Sequence, residues 1–212
     1  MSQTRDIIAR GIEQLGLDGS ESLTRQLDDF LGLLVHWNRT YNLTGIRVPA
    51  DMAVHHVLDS LALAPCLMQL QSGSSIVDVG TGAGLPGIPL AMYFPDSRFV
   101  LLDGSGKKTR FLTQARIELG LDNVEVINSR AEAMQGQFDR VVCRALASLQ
   151  QISGLTAHLL ADEGRILAMK GKLDDDELTS VLVSGLEVET VHKVTVPFLD
   201  ADRHIVVLRM AV

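Results

Sequence analysis

Apolar residues recur along the chain at two different periods, and the change from one to the other divides it. Up to about residue 70 the period is helical. Leu23, Leu27, Phe30, Leu31 and Leu34 fall on one stripe at i, i+4, i+7, i+8 and i+11, with Arg25, Asp28 and Asp29 off it. That is an amphipathic helix burying one face. Trp37 and Tyr41 continue the same side, and Asn42 to Arg47 reads as a turn. Pro49 and Asp51 open a further helix carrying Val54, Val57, Leu58 and Leu61, which ends near Pro65. Residues 1–70 are therefore expected to form a helical cap on the domain that follows, 71–212.

From Ser75 onward short apolar runs alternate with helical patterns. Ile76 to Val79, Phe99 to Leu102, Val124 to Ile127, Val141 to Cys143 and Ile166 to Met169 read as strands. Helices are expected at Pro86 to Tyr93, Lys107 to Leu119, Leu149 to Leu160 and Asp174 to Val183. After Val183 two strand-like stretches, Glu187 to Val196 and His204 to Met210, follow one another without a helix. The prediction is an α/β fold: a mostly parallel seven-stranded sheet with helices on both faces and an antiparallel C-terminal hairpin. Ligands of such sheets bind outside the carboxyl ends of the strands, so chemistry is sought at those exits.

Composition narrows the classes. The chain has 212 residues and a net charge of −7, which argues against indiscriminate coating of nucleic acid but leaves room for a local basic surface. Cys66 and Cys143 have no partner motif for a disulfide framework or a zinc site. Met1 to Gly11 has no apolar core of a secretory signal, and Leu31 to Val35 is too short to span a bilayer. A cytoplasmic protein without a bound metal is expected.

The first strand exit, Ile76 to Ile88, reads I-V-D-V-G-T-G-A-G-L-P-G-I. Gly82, Gly84 and Gly87 satisfy G-x-G-x-x-G, with Asp103 about 20 residues on, as a dinucleotide site requires. Two features oppose that reading. If Pro86 is the first helical residue, Pro86 and Pro89 remove two of the four terminal N–H donors that a pyrophosphate needs. Asp78, before the first glycine, would repel it. S-adenosylmethionine reverses both objections, because it carries no phosphate and brings an ammonium and a sulfonium that a carboxylate favours. A glycine-rich turn without a ligand is the plain alternative.

Other exits add candidates. Asp103 closes the second strand, where a carboxylate can accept from both ribose hydroxyls, or can simply face Lys107 and Lys108 at a helix start. Ala131 and Glu132 follow the third strand and can flank an adenine, or begin an exposed helix. The fourth exit, Cys143-Arg144-Ala145-Leu146, lacks the Asn/Asp-Pro-Pro-aromatic run of enzymes that methylate exocyclic amines. Cys143 reads as buried and structural rather than as a nucleophile. Lys107, Lys108, Arg110, Lys170, Lys172 and Arg203 can converge as a phosphate-binding rim or scatter as solvated charge. His55, His56 and Asp59 read as cap packing rather than metal ligands.

Trp37-Asn38 with Tyr41 to Thr44, His56 to Leu63, Asp78 to Leu90, Leu102-Asp103 with Gly106 to Lys108, Arg144-Ala145 with Ala147 to Leu149, Lys170-Gly171 and Arg203-His204 together resemble the bacterial 16S ribosomal RNA guanine-N7 methyltransferases, the RsmG family. The likeness runs from about Trp37 to Arg209. It implies a class I, Rossmann-like methyltransferase fold and S-adenosylmethionine as donor. The target it implies is N7 of guanine 527 in 16S RNA, within the small ribosomal subunit. Carried over by position, donor contacts fall on Gly80, Leu85, Ala131, Glu132 and Arg144, beside Asp78, Gly82 and Gly84 of the first loop and Asp103 at the second exit. Gly104-Ser105 and Leu85 depart from the family's usual residues. Guanine N7 carries a lone pair and no proton, so alignment is the task expected of the protein, with Arg144 the candidate catalytic residue. Another RNA or a small molecule as acceptor, and a dinucleotide-dependent oxidoreductase, are the competing readings.

Overall fold

A computed structural model describes residues 2–144, 148–173 and 175–211. Ala145, Leu146 and Ala147 of the fourth strand exit, and Asp174 at the start of an expected helix, lie outside the described residues. The chain begins with helices α1 (Gln3–Gln14) and α2 (Glu21–Tyr41), each capped by a serine that accepts a backbone N–H, Ser2 and Ser20. Such caps satisfy donors that a helix start leaves unpaired. A third helical segment spans 49–61: α3 (Pro49–Met52), a wide π turn over Ala53–Leu58, and α4 (Asp59–Leu61). It matches the helix that Pro49 and Asp51 predict.

Strands β1 (Ser75–Val79), β2 (Arg98–Asp103), β3 (Val124–Asn128), β4 (Phe138–Arg144) and β5 (Leu160–Lys170) are parallel to one another, and β6 (Leu186–Val194) and β7 (Arg203–Met210) form the antiparallel pair. Their order is β3-β2-β1-β4-β5-β7-β6. Between them run α5 (Gly87–Tyr93), α6 (Gly106–Glu118), α7 (Leu149–Thr156) and α8 (Asp175–Thr179).

Strand alternation sorts the core onto two faces. Ile76, Phe99, Leu101, Val142, Leu167 and Ile205 point to one face, in a single buried cluster with Leu27, Phe30 and Leu34 of α2 and Phe111 of α6. Val77, Val79, Val141, Cys143, Ile166 and Val206 point to the other, against Leu149 and Ile152 of α7. Trp37 stacks on Tyr41 and packs on Phe111, with ring centroids 5.2 and 5.7 Å apart. The N-terminal helices thus share one continuous core with the sheet. Among the described residues no helix is long and apolar enough to cross a membrane.

Candidate active site

The loop after β1 folds around Asp78. This carboxylate is fully buried, and its Oδ2 accepts from the Thr81 hydroxyl at 2.6 Å and the Gly87 N–H at 2.7 Å. Its Oδ1 is buried without a hydrogen-bond partner, and burial pushes the acid up to about 6. An ionised carboxylate left in that state favours a cation nearby. Gly84 takes a φ of +83°, and a Cβ there would lie 2.4 Å from Ile88, so the turn admits only glycine.

Pro86 is the residue before α5 rather than its first, so Pro89 is third in the helix. The expectation about donors survives this correction and becomes stronger. The Gly87 N–H is held by Asp78, that of Ile88 by the Gly84 carbonyl, and that of Leu90 by the Pro86 carbonyl, while Pro89 has none. Every N–H at the helix start is absent or already paired, which leaves nothing for a pyrophosphate.

Asp103, at the end of β2, is 7% exposed. It receives the Gly82 N–H at 2.9 Å on Oδ2 and the Ser105 N–H at 2.8 Å on Oδ1. Lys108 adds an ion pair at 3.3 Å. Gly80, Asp103, Ala131 and Glu132 line one cleft of about 300 Å³ with Lys108 and Leu155. Four of the anticipated donor-site residues are therefore brought together. Asp78, Gly82, Gly84, Leu85 and Arg144 do not line it. The first four build the loop behind, Leu85 packing into the core at 5% exposure. Lys108, read in sequence both as rim and as a charge facing Asp103, stands at the carboxylate of Asp103.

Arg144 lies in a second cleft of about 370 Å³, between the cap and the ends of β4, β5 and β7. Its Nη1 donates to the His55 carbonyl and to Asp59 Oδ2, both at 2.8 Å. The other oxygen of Asp59 accepts from Arg203 Nε at 2.7 Å. Only 4% of the Asp59 side chain is exposed, so both guanidiniums are fixed by a carboxylate that solvent barely screens. His56 beneath it bonds Thr44 Oγ1 through Nε2 at 2.8 Å, and burial, reinforced by Arg144, lowers it to about 4. His56 is therefore neutral at physiological pH.

Sequence reasoning took Asp59 and His56 as cap packing; the structure makes Asp59 the link between two anticipated site residues. The available signal was the run His56 to Leu63, in which Asp59 stands among apolar residues. Cys143 is fully buried and its thiol is pushed upward, as a structural cysteine is. The basic rim is divided. Lys107 and Arg110 are exposed on α6, Lys170 pairs with Glu177 at 2.7 Å, and Arg203 is held by Asp59. Among the described residues no group of three or more acidic, histidine or cysteine side chains is arranged to hold a metal.

Five parallel strands completed by an antiparallel pair, a glycine loop after β1 and a carboxylate at the end of β2 define a class I methyltransferase fold. Magnesium protoporphyrin IX methyltransferase from Synechocystis, solved with bound S-adenosylmethionine, shares that fold with a TM-score of 0.59 at 19% identity, over 90% of this chain and 98% of that one. The chain belongs to the GidB family, rRNA small subunit methyltransferase G, whose model matches residues 23–206. It is 45% identical to the ribosomal RNA small subunit methyltransferase G of Pseudomonas syringae over 95% of this chain and 93% of the relative. The protein of the same name from Chromobacterium violaceum is 46% identical, with 94% of each covered.

Proposed function

We propose that this protein transfers a methyl group from S-adenosylmethionine to N7 of guanine 527 of 16S ribosomal RNA, in the cytoplasm and within the small subunit. The observation that carries the donor assignment is the β1 loop: its helix-start N–H groups are spent internally while two carboxylates, Asp78 and Asp103, sit at neighbouring strand ends. That site suits a cationic, phosphate-free adenosine compound and disfavours a dinucleotide. The residues fit the group: Asp78 Oδ1 has no hydrogen-bond partner and lies behind the glycine loop, and the cleft at Gly80 offers bare backbone. S-adenosylmethionine, when bound, supplies an electrophilic methyl. Asp103 would accept the ribose hydroxyls, and Ala131 and Glu132 would flank the base. The substrate assignment is supported by family membership over nearly the whole chain.

Guanine N7 has no proton to lose, so the chain has to hold the acceptor rather than deprotonate it. Arg144 suits that task, because a guanidinium stays protonated and presents several donors in a fixed plane. Donation to guanine O6 positions the base while leaving N7 open; a bidentate grip on O6 and N7 would mask the nucleophile. Alignment of this kind is worth about 7 to 11 kcal/mol of barrier when reacting atoms are held in line.

The test is transfer of labelled methyl to 30S subunits from cells lacking this protein, comparing wild type with Arg144→Ala. Wild type should label the RNA, and Arg144→Ala should lose transfer with its circular dichroism preserved. Undiminished transfer by the variant removes Arg144 from the mechanism.

A further inference from the structure

Asp59 belongs to the cap, 85 residues from Arg144 and 144 from Arg203 in sequence, yet it binds both. Each of its oxygens takes one guanidinium. Arg144 is additionally anchored by the His55 carbonyl, which lies in the π turn of Ala53–Leu58. A π turn widens the helix and displaces its backbone hydrogen bonds, and such turns cluster at functional sites. Arg203 is held on its far side by the Asp202 carbonyl at 2.9 Å. Behind the pair, the Gly171 carbonyl meets His204 Nδ1 at 2.6 Å, tying the end of β5 to the start of β7. Three chain segments therefore converge on one buried carboxylate at the wall of the 370 Å³ cleft.

We infer that Asp59 is a positioning residue for the transfer reaction: from the cap, it fixes the direction and spacing of the Arg144 and Arg203 guanidiniums that face the acceptor. The inference deepens the proposed function and rests on it. Two guanidiniums repel one another, and a carboxylate between them is what holds them side by side at the cleft. The cap thereby contributes to the geometry of the site. Removing the negative charge while keeping the shape leaves the cleft one unit more positive and its two guanidiniums less constrained. RNA, a polyanion, is then held at least as well, but the acceptor is aligned less often.

Asp59→Asn separates these effects. The expected result is a fall of tenfold or more in kcat on 30S subunits, with KM for the subunits unchanged or lowered. Binding of S-adenosylmethionine by calorimetry should keep its stoichiometry and stay within about threefold of wild type, so kcat is counted per donor-competent molecule. A second variant, Arg203→Gln, should reduce kcat by itself, and the double variant should fall short of the product of the two losses, because both changes disrupt one unit. Wild-type kcat in Asp59→Asn overturns the inference. So does a loss matched by an equal loss of donor-binding sites, which marks a purely structural role, or strict multiplicativity in the double variant. Absence of transfer by the wild-type protein overturns the proposed function and this inference with it; transfer by wild type with no effect of Asp59→Asn overturns the inference alone.

Discussion

Two buried titratable side chains near the site pull stability in opposite directions. His56 titrates near 4 in the fold against 6.5 when exposed, so the unfolded chain binds more protons between those values and stability falls as pH drops through that window. Asp78 titrates near 6 against 3.8, so the fold binds more protons there and stability falls as pH rises through it. The two slopes nearly cancel between pH 4 and 6. Asp78→Asn removes the second. Urea unfolding should show the variant roughly 1 to 3 kcal/mol more stable than wild type at pH 7, with the advantage shrinking toward pH 5. A constant difference would place the cost of Asp78 outside its ionisation. Donor affinity should fall in the same variant, a stability gained by discarding a functional charge. His55 is half-buried and lines the second cleft, as His56 does. Because N7 needs no base, His55→Gln should keep single-turnover transfer within about threefold across pH 6 to 9, its backbone carbonyl still holding Arg144. A loss of a hundredfold or more would mean that the reaction removes a proton.

At the scale of elements, alternation and turn residues make most of the architecture readable, because they report local burial. All seven expected strands are present and α5 and α6 lie within a residue of their expected bounds, while α7 and α8 end early, at Thr156 and Thr179, each followed by a 3-10 turn. The main departure is β5, which begins at Leu160 rather than Ile166. No element is expected over Ala161 to Gly164, yet they form an irregularity of the strand in which Phe138 pairs with Leu160 and Arg140 with Arg165. Glu163 there takes a φ of +62°. Polar composition conceals a strand wherever the ladder bulges. The approach of α5 to the sheet is as tight as its glycine implies: a Cβ on Gly87 would lie 2.2 Å from Leu101 Cδ2 and 2.8 Å from Asp78 Oδ2. Gly87→Ala should therefore cost about 1 to 3 kcal/mol in denaturant unfolding. A neutral substitution would show that the helix can lift away freely. The double pairing of Asp59, by contrast, was not readable, since no local period relates residues 59, 144 and 203.

For the whole molecule, the helices before residue 70 and the sheet share one core. The protein is acidic overall; Lys107 and Arg110 are exposed on α6, while Arg144 and Arg203 are held in the second cleft by Asp59. Reversing Lys108 would set a carboxylate against Asp103 and confuse donor binding with RNA binding. Lys107→Glu with Arg110→Glu avoids that. The pair should weaken RNA binding, flatten its salt dependence and leave donor affinity unaltered; an unchanged salt slope would place the RNA elsewhere. The most direct measurement of the central claim is mass mapping of 16S RNA after incubating 30S subunits from cells lacking this protein with the purified wild-type chain and labelled S-adenosylmethionine. The account predicts one new methyl group, on N7 of guanine 527; a label on another atom or nucleotide, or none at all, would contradict it.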